Sequence, residues 1–370
     1  MNTTEFDVVV AGAGPSGCAA AIALRLAGLT VCVVDRPYNG RRKIGESIPG
    51  ASVRLLNRLG INGIESLLDS KDYKKCLANI SAWGTDTWEF QSGLKNPEGG
   101  GYHINRVAFD DALRDKAISV GVVIYENMIG SVSPLSIKGL TIGLKVEFKR
   151  NDNAHLKTKW IIDATGRKAA ISRMFGVKRM RLDSQMAAVK WIKAASVAND
   201  DHATRIKSVP YGWWYTSFLP DNSRVIGFQG LPKDVSQMHK DATLFFNRFN
   251  DSGILSRTIT QESILEESAY EAGVAKPDSI IADRLLCVGD AALSFDPLSS
   301  QGILFALYSG IKGAEAIVKN LTEMNIANQS LKDYEAIVDN VFTENQKHLR
   351  YFYMNEFRYR NEPYWKSRQQ

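Results

Sequence analysis

The sequence predicts an α/β fold. It combines a parallel-sheet dinucleotide-binding unit built from separate segments, an antiparallel β-sheet threaded between them, and a helical C-terminus. Three observations predict it. A glycine loop, Gly12-Ala13-Gly14-Pro15-Ser16-Gly17, lies between an apolar run and an alanine- and leucine-rich stretch. Far along the chain a second apolar run ends in Gly-Asp, within Cys287-Val288-Gly289-Asp290-Ala291-Ala292. Between these motifs, residues 78–92 and 186–230 alternate and are rich in aromatic and β-branched types, the pattern of half-buried strands.

The N-terminal elements follow one another as a βαβ unit. Phe6 to Ala11 is an apolar run that reads as a buried parallel strand. Ser16 to Ala27 reads as a helix ended by Gly28, and Thr30 to Asp35 as the next strand. The glycines Gly12, Gly14 and Gly17 allow a tight turn, close approach of backbone to a pyrophosphate, and close helix–strand packing. Pro15 and Ser16 open the helix, whose N-terminal N–H groups favour phosphate. Asp35 is eighteen residues past Gly17, at the spacing of a carboxylate that accepts from ribose hydroxyls. Arg36 is assigned to the cofactor with it. The unit is Rossmann-like.

The later segments extend the same unit. Asn105 to Asp110 opens an amphipathic helix, and Arg106 at its start is placed to pair with a pyrophosphate. Trp160-Ile161-Ile162-Asp163-Ala164-Thr165-Gly166-Arg167 is a strand ending in a tight turn, which assigns Asp163 and Gly166 to the cofactor. At Gly289-Asp290 a strand again ends at a helix start. Asp290 can accept from a ribityl hydroxyl, and the N–H groups from Gly302 onward, with Ile303, can face a flavin pyrimidine. The two distant motifs together fit one cofactor, FAD. The expected domains are 1–77, 102–180 and 278–330 for FAD, 78–101 and 181–277 for a β-sheet substrate domain, and 331–370 for a C-terminal helical region. Strands such as Met186–Ala195 and Arg224–Gln229 belong to the second. The tail is basic and aromatic, and its aromatic stripe reads as core packing before partner surface.

Composition narrows the function classes. The chain has 370 residues, 44% hydrophobic, enough for one large core or two interleaved domains. No apolar run reaches membrane-spanning length, and the N-terminus passes straight into the first strand without room for a signal peptide. A cytoplasmic protein without membrane attachment is expected. The four cysteines, Cys18, Cys32, Cys76 and Cys287, form no CxxC, and the five histidines show no ligand spacing, so no metal is expected. The net charge of +6 serves FAD phosphates and solubility before an acidic partner. No nucleic-acid-binding motif is present.

The glycine loop, the Asp163-Ala164-Thr165-Gly166-Arg167 turn and the late Gly289-Asp290 with Pro297 and Gly302 resemble the group-A flavin monooxygenase superfamily over most of residues 1–320. That superfamily includes the flavin-dependent halogenases and the geranylgeranyl-reductase-type enzymes. Lys43-Ile44-Gly45-Glu46-Ser47-Ile48-Pro49 resembles the halogenase flavin loop, which assigns Ser47 to the cofactor. Phe295-Asp296-Pro297-Leu298 resembles the halogenase flavin–halide loop. Tryptophan halogenases carry a lysine between flavin and substrate, and the corresponding segment is Tyr73-Lys74-Lys75-Cys76-Leu77. By spacing Lys75 is the catalytic candidate, with a solvated charge on a helix surface as the equal alternative. Other positions depart from the halogenase pattern. Where halogenases have Trp-x-Trp-x-Ile-Pro, this chain has Tyr215 and Ser217 ahead of Leu219-Pro220. Where the halide loop has Glu-Ser-Thr-Gly, it has Ser299-Ser300-Gln301-Gly302.

A basic, halogenase-like chain of this length without the halogenase signature is similar to the LodB/GoxB group of flavoproteins. Those proteins modify a tryptophan of a partner amino-acid oxidase on the way to a tryptophylquinone cofactor. The resemblance implies an FAD-dependent monooxygenase that hydroxylates a tryptophan side chain of an oxidase precursor through a flavin C4a-hydroperoxide. O2 and an electron donor such as NAD(P)H or a reductase would be needed. Lys75 would stabilise the leaving flavin oxygen or donate a proton. Trp213, Trp214 and Tyr215 either line the aromatic substrate pocket or pack in the sheet, and the sequence leaves both open. The alternatives are a small-molecule aromatic hydroxylase, a halogenase or ene-reductase of the same fold, or an FAD-loaded binding partner that positions a precursor.

Overall fold

The computed structural model describes residues 2–93, 98–149, 154–193, 202–260, 264–323 and 327–369. The glycine-loop strand Asn2–Ala11 lies at the centre of the first sheet, flanked by parallel strands Val31–Asp35 and Ala154–Asp163. Val123–Glu126 and Leu285–Cys287 extend the parallel set on either side. An antiparallel pair, Ile129–Ile137 and Leu140–Phe148, branches from Ala154–Asp163. The central strands are apolar at Val8–Ala11, Val31–Val34 and Trp160–Ile162, where both faces are covered, as a parallel sheet requires. Helices Pro15–Leu26, Arg106–Ser119 and Gly302–Thr322 belong to the layer on one face, over Val8, Val10, Val33 and Ile162.

Small residues set how closely these helices approach. A Cβ on Gly310 would lie 2.4 Å from the carbonyl of Ser16, so the helix Gly302–Thr322 rests almost directly on the start of the first helix. Ala19, Ala20 and Ala21 of the first helix are fully buried at that contact.

The second sheet has seven strands, in the order Ile264–Glu271, Met186–Lys193, Ser223–Gly230, Gly212–Phe218, Ala203–Val209, Ala78–Ala82 and Glu89–Ser92. All neighbours are antiparallel except Ala203–Val209 against Ala78–Ala82. The expected strand at 224–229 is present and one residue longer at each end. The strand expected at 186–195 runs to Lys193; residues 194 and 195 lie outside the described residues.

Helices Pro232–Lys240 and Ala242–Asp251 cover one face of this sheet through Val235, Met238, Phe245, Phe246 and Phe249. The other face looks toward the first sheet's glycine loop. A small third sheet of Ser47–Ile48, Gly101–Ile104 and Tyr73–Cys76 joins the two. Lys75 therefore lies on a strand, not on a helix. The long helix Ala327–Asn355 leads into a terminal turn, Pro363–Lys366. There Tyr353, Tyr364 and Trp365 are buried in one cluster with Trp213. The aromatic tail is thus largely core, although Tyr351, Phe352 and Phe357 are exposed. Among the described residues, no helix is long and apolar enough to cross a membrane.

Candidate active site

A cavity of about 320 Å³ opens between the glycine loop and the uncovered face of the seven-stranded sheet, within the size range of ligand pockets. The two motifs that flank it are distant in sequence and touch in space. Gly289 has φ +59°, and a Cβ there would lie 2.5 Å from the Ser16 hydroxyl. The late Gly-Asp turn therefore seats against the first helix because position 289 has no side chain. The glycine loop is equally crowded: a Cβ on Gly12, at φ +104°, would lie 2.5 Å from the Ala164 carbonyl, and one on Gly17 would lie 1.9 Å from the Gly12 carbonyl.

Gly14 differs, with no atom within 4 Å of where its Cβ would be. It lines the cavity with Pro15 and Ser16. The helix behind it has no side-chain cap, so its first N–H groups are open to an anion. At the other end of the cavity the helix Gly302–Thr322 also starts without a side-chain cap, and Gly302 is likewise uncrowded. Two uncapped helix starts facing one cavity fit a ligand with a diphosphate at one end and an electron-accepting ring at the other. FAD has that form.

The remaining predicted cofactor residues divide into two sets. Ser47, Arg106, Gly166, Asp290, Pro297, Gly302 and Ile303 line the cavity. Arg106 is already engaged: it pairs with Asp110 at 3.1 Å and donates to the Ile44 carbonyl, so it holds the 44–47 loop in place. Asp163 is a correction. It is fully buried and accepts from Thr165 N at 3.0 Å, Thr165 Oγ1 at 2.6 Å, Ser172 N at 2.8 Å and Ser172 Oγ at 2.6 Å. Its bonds fix the turn at Thr165 and tie it to the helix Ala170–Met174, and it does not line the cavity. Asp35 and Arg36 also lie off the cavity. Asp35 ends its strand, where it accepts from Arg36 N at 2.9 Å and faces Arg114 at 3.6 Å.

The substrate side is corrected at two positions. Side chains alternate across a strand, so Trp213 and Tyr215 line the cavity while Trp214 faces away. Trp214 is fully buried against Phe228, Phe245 and Phe249 beneath the covering helices. Tyr215 lies over Gly227, its partner across the ladder, where a Cβ would sit 1.9 Å from the ring. Lys75 is exposed on the strand Tyr73–Cys76 and does not line the cavity. Among the described residues, the cations that do are Arg106 and Arg167.

Several lining residues were not singled out by the sequence. Glu46, from the same loop as Ser47, is buried and accepts from Trp191 Nε1 at 2.6 Å and Gly45 N at 2.9 Å. Burial pushes its carboxyl above the usual range, against those bonds and Arg106. Asp296 is fully buried, and burial raises it too, against the nearby Arg368. It caps Leu298 N at 2.9 Å and accepts from Tyr353 OH at 2.8 Å. Arg167 donates to the carbonyls of Gly273 at 2.6 Å and Phe295 at 2.7 Å. The Gly-Glu-Ser, Phe-Asp-Pro and Asp-Ala-Thr-Gly-Arg motifs named each neighbourhood, but nothing local marked which member would point inward.

Known proteins place the chain. The FAD-dependent oxidoreductase LodB of Marinomonas mediterranea is 24% identical over 98% of this chain and 97% of its own. The flavin-dependent halogenase CmlS superposes with a TM-score of 0.85 at 23% identity, covering 100% of this chain and 68% of its own. QhpG, described as a peptidyl tryptophan dihydroxylase essential for tryptophylquinone cofactor biogenesis, superposes with a TM-score of 0.79 at 22% identity, covering 99% and 79%. A family described as the FAD binding domain matches residues 5–341. The chain belongs to that family and is an FAD-dependent oxidoreductase with the fold of the flavin-dependent halogenases.

Proposed function

We propose that this protein oxygenates a tryptophan side chain of a partner amine or amino-acid oxidase precursor during tryptophylquinone cofactor formation. The observation that carries the reading is the cavity's lining. Its sheet wall carries Trp213, Tyr215, Ile206, Val189 and Val225, with Thr204, Ser217 and Gln229 as its polar members, and among the described residues the cavity's cations are arginines rather than a lysine. Tryptophan halogenases, by the resemblance above, place a lysine there. The near full-length similarity to LodB and the shared fold of QhpG support the same reading.

Bound FAD supplies the redox and oxygen chemistry, with electrons from NAD(P)H or a separate reductase. The chain's residues bind and orient. The open Gly14 edge and the first helix start would hold the pyrophosphate, Asp290 the ribityl chain, and the helix start at Gly302 the pyrimidine edge. Trp213 and Tyr215 present ring faces to an indole. The 44–47 loop forms one side of the cavity, and the tail backs Trp213 and Asp296.

The test is the whole-protein mass of a co-expressed oxidase precursor with and without this protein. A gain of one or more oxygen masses on a tryptophan is expected. An unmodified precursor, with FAD bound and reducible, refutes the reading. Conversion of free indole only in the presence of halide would instead establish a halogenase.

A further inference from the structure

A buried imidazole is connected to the cavity wall by two hydroxyls. His103 lies on the strand Gly101–Ile104 and is 1% exposed. Its Nε2 is 2.9 Å from Thr204 Oγ1, which is 3.0 Å from Ser217 Oγ. Thr204 and Ser217 are register partners on adjacent strands of the seven-stranded sheet, and both line the cavity. Ser217 is two residues from Tyr215 and four from Trp213, so all three share the strand face that looks into the cavity. His103 itself pairs in register with Ser47, which lines the cavity from the loop side.

We propose that His103 takes up the proton released in the cavity, through Ser217 and Thr204. The proposal rests on the reading of the cavity as a site of electrophilic aromatic substitution. When an electrophile adds to an indole ring carbon, the C–H bond there must break and its electron pair return to the ring. Ser217 and Thr204 bring linked hydroxyls to the wall that Trp213 and Tyr215 share, so the proton has a protein acceptor there. Ser217 Oγ takes the ring proton as its own passes to Thr204 Oγ1, and the Thr204 proton passes to Nε2. Imidazole becomes imidazolium, both hydroxyls are restored, and no other reactant enters the step. The step requires His103 to begin as the Nδ1–H tautomer, with Nε2 accepting from Thr204. His103 acts through the hydroxyls and is therefore a positioning residue.

Two measurements on the FAD-loaded protein test this. The first uses nitrogen-15-labelled histidine and magnetic resonance. Nε2 of His103 is expected to be unprotonated and hydrogen-bonded, with its shift moved in Thr204→Val; an Nε2–H tautomer overturns the relay. The second is single-turnover oxygenation of ring-deuterated indole by the reduced protein. The wild type is expected to show a deuterium effect near one, because proton loss is fast. In Ser217→Ala, Thr204→Val and His103→Gln product formation falls by about 10²-fold, typical of a lost acid–base group, and the deuterium effect rises well above one. A purely structural role would lower the yield without creating that effect, and this result overturns the relay. If the wild type oxygenates neither indole nor the oxidase precursor, the proposed function fails and the resonance measurement alone decides the relay.

Discussion

Trp213 and Trp214 are adjacent and face opposite sides of their strand, and substituting each in turn separates a cavity wall from a core. Trp214 is fully buried, with ring centroids 4.9 Å from Phe228, 5.0 Å from Phe245 and 5.4 Å from Phe249. Trp214→Ala removes a large side chain from a cluster that cannot fully collapse, at a cost of about 3–5 kcal/mol. At roughly 2 °C per kcal/mol, the low end for larger domains, Tm falls by about 6–10 °C. Trp213→Phe keeps most of the packing but loses the hydrogen bond from Nε1 to Tyr364 OH, 3.0 Å long, at about 1 kcal/mol. It also reshapes the cavity wall. Thermal unfolding of the FAD-loaded proteins, with product analysis on indole and on the oxidase precursor, reads both effects. Trp214→Ala should lose stability while keeping the product distribution of whatever remains folded, and Trp213→Phe should lose only about 1 kcal/mol while changing the products. A Trp214→Ala protein with unchanged Tm and altered products would refute the assignment of faces.

Four further variants have definite expected outcomes. Gly14→Ala should fold normally, because nothing lies within 4 Å of the new methyl, yet lose FAD, because the methyl enters the cavity edge. Gly17→Ala should disrupt the loop itself, because its Cβ would lie 1.9 Å from the Gly12 carbonyl; FAD content and Tm distinguish the two. Lys75→Ala should change stability by less than about 0.5 kcal/mol, as exposed positions usually do, and leave FAD content and product yield intact; lost product with full FAD would restore Lys75 as catalytic. For Glu356, burial acts to raise the carboxyl, but bonds from Arg358, Ser208 and Gly84 N outweigh it, so its native pKa lies below the ordinary value. Its stabilisation is complete above the unfolded value of about 4.3 and is lost as pH falls through the lower native value. The stability gap between wild type and Glu356→Gln should therefore be full at neutral pH and close in acid; a gap that widens in acid would contradict this.

The sequence marked the parts of the site whose backbone is constrained. Gly12, Gly17 and Gly289 are visible in a sequence because nothing larger fits where they stand, and the first helix is visible in its alanines. What the sequence left open was direction. Asp163 belongs to a cofactor motif, but its carboxylate turns inward to Thr165 and Ser172. Trp214 and Trp213 look alike in a string of letters, and only the helices over one face decide between them. Spacing points to Lys75, but spacing does not show that its segment pairs as a strand with Gly101–Ile104. His103, Thr204 and Ser217 come from three elements on two sheets, and no local pattern joins them.

The tail carries the same lesson further, because it couples the two halves of the site. Tyr353 donates to Asp296 on the Phe-Asp-Pro loop, and its hydroxyl is 3.0 Å from that of Tyr364. Tyr364 accepts from Trp213 on the substrate wall and donates to Gln185. Arg368 reaches both Asp296 and Asp183. These groups are buried, so an unmade bond costs more than a formed one gains. The flavin-side loop and the aromatic wall are thereby bridged by one hydrogen-bonded network and tend to shift together. Residues far from the glycine loop in sequence therefore tie the Asp296 loop to the Trp213 wall, and substitutions at Tyr353 or Tyr364 should alter the products formed from indole before they lower FAD content.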